Sequence, residues 1–211
     1  MGRGNNMKDY QFTGAQDWSK YFDAIFKKTK INHLLEFGLG DGTEFLLDNC
    51  NKVTSVEISL GDYNKSWHDK CVEKYKEYKN WDVYYIDAPK EVVEANDEAI
   101  NKRYPIDYSA HIPKLKTIVN KYAKNTDMIF VDAGFHNRGD LVNLCFNKAK
   151  VIAAHDSSRD ESRILKNIYG YNIVNVPDNY IEFHFEDTYM GTTIWVEKSA
   201  TDVIEVLNGL K

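Results

Sequence analysis

Residues 33–47 constrain the fold more than any other stretch of this 211-residue chain. They read His33-Leu-Leu-Glu-Phe-Gly38-Leu-Gly40-Asp-Gly42-Thr-Glu-Phe-Leu-Leu47. A short apolar run leads into a glycine-rich turn and then into the opening of a helix. That order predicts a buried strand whose C-terminal edge faces a helix N-terminus, with unpaired backbone N–H groups and the positive end of the helix dipole gathered there. Glycines at 38, 40 and 42 carry no Cβ, so a ligand can approach the backbone closely. In open α/β sheets, cofactors sit at this edge.

The rest of the chain alternates in the same way. Asp17 to Thr29 carries Trp18, Tyr21, Phe22, Ile25 and Phe26 at helical spacing. Lys52–Ile58, Trp81–Ile86, Asp127–Val131 and Lys150–Ala154 read as strands. Between them, helices are predicted over Thr43–Asn49, Tyr63–Tyr78 and Asn137–Lys148, and over Glu91–Ile100 and Asp107–Lys124, which break around Tyr104-Pro105. Strands alternating with helices imply parallel βαβ units and a sheet covered on both faces. The connection from the third to the fourth strand, about forty residues, exceeds a plain crossover, so residues 101–111 are a candidate lid or substrate rim. Beyond a predicted helix over Ser158–Tyr169, the segments Tyr171–Val176, Tyr180–Phe185 and Thr192–Val196 are strand-like with short turns, and at least one antiparallel pair is expected.

Composition narrows the function classes. The chain is 43% hydrophobic and 28% charged, ordinary for a globular protein, and its length fits one domain, residues 1–211, with a loose start over 1–10. A net charge of −5 with no basic or aromatic run argues against a nucleic-acid groove. Cys50, Cys71 and Cys145 lie far apart with no paired spacing, fitting a reducing compartment. No apolar run reaches membrane-spanning length and no signal-peptide core opens the chain, so a cytoplasmic location is expected, with no membrane partner.

Four strand ends carry candidate chemistry. Glu57, about twenty residues past the first glycine, suits both hydroxyls of a ribose. Asp87-Ala88 ends the third strand. Asp132-Ala-Gly-Phe-His136 and His155-Asp156 end the next two, and if those strands are neighbours their ends lie about 4.8 Å apart. Asp132 and Asp156 could then share one divalent cation with His155 or His136 nearby, and oxygen ligands favour magnesium, calcium or manganese over zinc. Helix-capping aspartates and a satisfied buried histidine are the structural alternative.

The dinucleotide fingerprint G-x-G-x-x-G fails, because Thr43 stands where its third glycine belongs. Glu36-Phe-Gly38-Leu-Gly40-Asp-Gly42 instead resembles the E/D-x-G-x-G-x-G signature of class I S-adenosylmethionine (SAM) methyltransferases. Phe130-Val-Asp132-Ala-Gly-Phe-His136, continuing to Asp140 and then Ala154-His155-Asp156, is similar to a pattern of sugar and natural-product O-methyltransferases. It departs from that pattern at Ala133-Gly134, which leaves the register of the histidine open. The resemblance covers residues 33 to 158. It implies a Rossmann-like, doubly wound, mostly parallel sheet of order 3-2-1-4-5-7-6 with an antiparallel C-terminal strand. It implies SAM held by Glu36, Gly38, Gly40, Gly42, Glu57, Asp87 and Ala88, and metal, Mg2+ first, on Asp132 and Asp156. His136, His155 and Asp132 are then the catalytic candidates, acting on a small-molecule or sugar hydroxyl. Aminopropyl transfer from decarboxylated SAM, and non-catalytic SAM binding, are the alternatives.

Overall fold

The computed structural model describes residues 17–59, 62–87, 112–134, 138–159, 169–188 and 190–211. The candidate lid at 101–111, the loose start, the helix over 91–100, most of the helix over 158–169, Ala88 and His136 lie outside these residues.

The described elements run in the order α1 (Ser19–Lys28), β1 (His33–Phe37), α2 (Thr43–Asn49), β2 (Lys52–Ser59), α3 (Asp62–Tyr75), β3 (Trp81–Asp87), α4 (Ile112–Tyr122), β4 (Met128–Val131), α5 (Arg138–Cys145), β5 (Val151–His155), β6 (Tyr180–Phe185), β7 (Thr192–Glu197) and α6 (Thr201–Asn208). The seven strands form one sheet in the order β3-β2-β1-β4-β5-β7-β6. All neighbours are parallel except β7, which runs against both β5 and β6.

The period-two alternation of each strand divides the core into two layers. Leu34, Val53, Met128, Phe130 and Val151 face α1, α2 and α6. Leu35, Val56, Ile129, Val131 and Ile152 face α4 and α5. Because both faces are covered, β4 is apolar throughout and β5 apolar up to His155, while β1 and β2 bury Glu36 and Glu57 among apolar neighbours. In α1, Tyr21, Phe22 and Ile25 follow helical spacing and bury one stripe, while Lys27 and Lys28 in the last turn oppose the dipole. Phe22 is fully buried, with ring centroids 4.7 Å from Trp18 and 5.0 Å from Phe130.

Two C-terminal features differ from the sequence reading. Tyr171–Ile173 is a single 3-10 turn rather than a strand. Gly170, in the left-handed region at φ 68°, turns the chain into it, and Pro177 lies just beyond. The turn also places the Tyr171 hydroxyl 2.7 Å from the His155 carbonyl, to which it donates. The short α6, which buries Val203 and Leu207 and packs on α1, carries too few residues for its periodicity to stand out.

The strand order reverses between β1 and β4, the topological switch point where doubly wound sheets bind ligands. Truncating Phe22 to alanine, in the aromatic layer that supports this junction, is expected to lower unfolding stability by about 3–5 kcal/mol, as read from urea denaturation.

Candidate active site

The β1 turn and the end of β4 meet at backbone distance. The Asp132 N–H donates to the Phe37 carbonyl at 2.8 Å, and Gly38 adopts φ 90°. A Cβ at Gly38 would lie 2.3 Å from the Asp132 carbonyl oxygen. Glycine is therefore needed here by the protein's own packing. Gly42 is similar, since a Cβ there would meet the Trp18 ring at 2.7 Å. Only Gly40 has ordinary room, its nearest neighbour being Trp67 at 3.6 Å.

The turn's N–H groups are engaged internally. Gly38 donates to the Val56 carbonyl at 3.0 Å, Leu39 to the Glu57 carboxylate at 3.1 Å and Gly40 to the Thr43 hydroxyl at 3.0 Å. Trp67 Nε1 and the Tyr75 hydroxyl hold the Leu39 and Gly40 carbonyls at 2.7 and 2.9 Å. The expectation of unpaired donors along the turn therefore does not hold at residues 38–40. A turn so tied suits a ligand that carries no phosphate, because phosphate cradles need those donors open.

Beside the turn lies a cavity of about 240 Å³. Its floor and polar wall are Glu36, Thr43, Asp132 and the glycine turn, and its apolar walls are Trp18, Trp67 and Phe130. Glu36 receives the Ser55 hydroxyl at 2.7 Å and faces the Thr43 hydroxyl at 3.0 Å, while Trp81 Nε1 donates to Ser55 at 2.9 Å. Every neighbour hydroxyl thus presents a donor to an acceptor. Burial nevertheless raises the Glu36 pKa to about 8; Ser55 and Thr43 oppose the rise, and the charges of Asp132 and Glu57 add to it. Glu57 is buried behind Leu39, and exposed Asp87 sits at the outer end of β3; neither lines this cavity.

The register pairs Val131 with Ala154, so Asp132, His155 and Asp156 come together at the ends of β4 and β5. Their potential ligand atoms lie within 4.8 Å of one another. The arrangement holds a further member, Arg138. Its Nη1 is 3.0 Å from Asp132 Oδ1 and 3.0 Å from Asp156 Oδ2, and donates to the His155 carbonyl at 3.2 Å. Its Nε donates to the Ala133 carbonyl at 2.7 Å. The guanidinium lies over the Tyr169 ring, 4.1 Å from its centroid. Asp156 takes φ 56°, a left-handed conformation that aspartate tolerates better than most residues.

His155 Nδ1 stands 3.5 Å from oxygens of both Asp132 and Asp156. Burial alone would lower its pKa, but the two carboxylates outweigh that and raise it. Burial likewise pushes Asp132 upward, and His155 with Arg138 reverses the shift to below the usual carboxylate range. Two carboxylates thus face one guanidinium and an imidazole whose charged form they favour. A divalent ion bound to both aspartates would have to displace Arg138 or sit beside its charge in a group of low solvent access, so these residues do not fit a metal as they stand. Asp132 is the member that reaches the cavity, with a side chain 32% exposed against 4–5% for His155 and Arg138.

The sequence reading offers no site role for Arg138, nor for Trp18 and Thr43, which line the cavity. Arg138 did leave a signal: it falls at helical spacing with Leu141, Val142 and Cys145, so it sits on the apolar stripe of α5.

No protein-family model matches the chain, and no curated protein matches it. Solved structures share its fold. A Staphylococcus aureus protein provisionally described as a caffeoyl-CoA O-methyltransferase aligns at 14% identity over 88% of this chain and 84% of that one, with a TM-score of 0.55. An O-methyltransferase from Bacillus cereus, solved with S-adenosylhomocysteine, aligns at 14% identity over 91% and 84%, with a TM-score of 0.53. A Podospora anserina methyltransferase, also bound to S-adenosylhomocysteine, aligns at 14% identity over 84% and 75%, with a TM-score of 0.51. The chain has the fold of class I SAM-dependent methyltransferases.

Two outcomes follow from these charges. Arg138→Ala strands two carboxylates and two carbonyls, and is expected to cost about 3–5 kcal/mol of stability in denaturant titration. Glu36 keeps its proton in the folded state up to about pH 8, whereas the unfolded chain releases it at the ordinary carboxyl value. Its contribution to stability is therefore full at low pH and is lost as pH rises through about 8, at roughly 1.4 kcal/mol per unit of pKa difference. Glu36→Gln should flatten that part of the pH–stability curve.

Proposed function

We propose that this chain is a SAM-dependent methyltransferase that O-methylates the hydroxyl of a small molecule. The observation that carries the reading is the cavity at the β1–β4 switch point. It joins a buried acid, a phosphate-free glycine turn and an accessible Asp132. In this reading Glu36 and the apolar walls hold the methionine end of SAM. Glu57 would take the ribose hydroxyls, and Asp87, with Ala88 next to it in sequence, is the candidate for the adenine. A cavity of 240 Å³ is below the usual range for a whole drug-sized ligand, which fits its holding one end of the cofactor.

The sulfonium of SAM already carries its leaving group, so the protein has to supply in-line positioning and an oxygen nucleophile. The acceptor hydroxyl donates to Asp132. When bound, SAM would supply the methyl group, its sulfur keeping the S–CH3 electron pair as the acceptor oxygen forms the new bond. The hydroxyl proton passes to Asp132, which is open enough to hand it to solvent. His155 is buried and acts on Asp132 rather than on the substrate. His136, the other imidazole near this strand end in sequence, is a second candidate for the proton. A sugar or catechol-like hydroxyl is the acceptor class in this reading.

Calorimetric titration tests it directly. SAM and S-adenosylhomocysteine are expected to bind, and Glu57→Gln to weaken both by about tenfold or more, equivalent to about 1.4 kcal/mol. Asp132→Asn should leave SAM binding near wild type and lower turnover of a catechol or sugar panel by about 10²-fold or more. Tighter binding of decarboxylated SAM would move the assignment to aminopropyl transfer, and SAM binding without turnover on any acceptor would favour a non-catalytic SAM binder.

A further inference from the structure

We propose that Arg138 is the resident cation of this site: its guanidinium holds the position between Asp132 and Asp156 that a divalent ion would take, and the site operates without one. The methyltransferase reading supplies the chemistry at this site; the occupancy of the position by Arg138 can be tested apart from it.

Nη1 bridges the two carboxylates at 3.0 Å each, which is the role a shared metal would play. The same side chain is fixed on its other sides by the Ala133 and His155 carbonyls and by the Tyr169 ring. An ion entering between the aspartates would have to expel the guanidinium and leave both carbonyls without their donor. If the guanidinium stayed, the ion would meet a like charge at close range.

The surrounding backbone is shaped to keep the arginine in place. Gly139, the next residue, donates its N–H to the Tyr169 carbonyl at 2.9 Å, and a Cβ there would lie 1.9 Å from the Gly170 oxygen. The missing side chain lets residues 169–171 close over α5, which brings Tyr169 onto the guanidinium and the Tyr171 hydroxyl onto the His155 carbonyl. Arginine also suits the place better than lysine, because a planar fork reaches several acceptors at once. Arg138 therefore acts as a positioning residue. It fixes the Asp132 carboxylate at the cavity and gives it the positive partner that a metal would otherwise provide.

The test is Mn2+ binding followed by electron paramagnetic resonance, on the full chain, with SAM titrations in EDTA and in excess Mg2+ run in parallel. Wild type is expected to show no saturable Mn2+ binding up to about 1 mM, the weak end of oxygen-donor sites, and the same SAM isotherm in both buffers. Arg138→Met frees the carboxylates and is expected to gain stoichiometric Mn2+, a change that loss of packing alone would not produce. Arg138→Lys should restore the exclusion. If Arg138→Met does not fold, wild type and Arg138→Lys, each against Asp132→Asn, decide the matter. Stoichiometric Mn2+ on wild type that Asp132→Asn or Asp156→Asn abolishes would overturn the proposal, as would a folded Arg138→Met that stays blind to the ion. Mn2+ retained by both aspartate variants lies elsewhere and leaves the proposal standing. Absence of SAM binding would remove the methyltransferase reading, while the Mn2+ result would still judge Arg138.

Discussion

The close backbone approach at the switch point, between Gly38 and the Asp132–Ala133 peptide, sets the geometry of everything above it. β1 and β4 are adjacent and parallel, and their ends stay hydrogen-bonded until the turn leaves at Gly38. A side chain at 38 would force the two apart. With the strands held, the glycine turn stands beside the first acidic residue of the β4 end, and one cavity serves both. The two helical layers only have to cover the sheet; the site comes from the order of the strands.

A second constraint is electrostatic. Asp132, Arg138, His155 and Asp156 form a compact charged group beneath a partly open surface. Charges out of water are costly unless paired and hydrogen-bonded. Here each carboxylate faces both Arg138 and His155, and the guanidinium's Nε and Nη1 also donate to backbone carbonyls. Such a paired group fixes an orientation more than it adds stability. Glu36 differs: it has hydroxyl donors but, among the described residues, no cation acting on it, and burial holds its proton.

Much of the architecture was legible because the central strands are short and largely apolar, and the glycine turn marks where the first one ends. Strand order and the antiparallel turn of the C-terminal strand agree with what the motif resemblance implied. Less legible was anything decided by contacts far apart in sequence. The purpose of Gly42 depends on Trp18, and the donors of the turn are consumed by Glu57 and Thr43. Tyr171–Val176 has strand composition, but Gly170 and the Tyr171 hydroxyl bond set a turn there. At 132 and 156 the spacing brings two carboxylates together at neighbouring strand ends, but it does not disclose Arg138, which lies 3.0 Å from both.

A crystal structure with S-adenosylhomocysteine, grown in the presence of Mg2+, tests the central claim most directly. The account predicts the ligand's homocysteine end beside Glu36 in the cavity at Gly38–Gly42, its ribose on Glu57, and the Arg138 guanidinium still bridging Asp132 and Asp156. A ligand seated away from the β1–β4 junction, or a metal between the aspartates with Arg138 turned out, would contradict it.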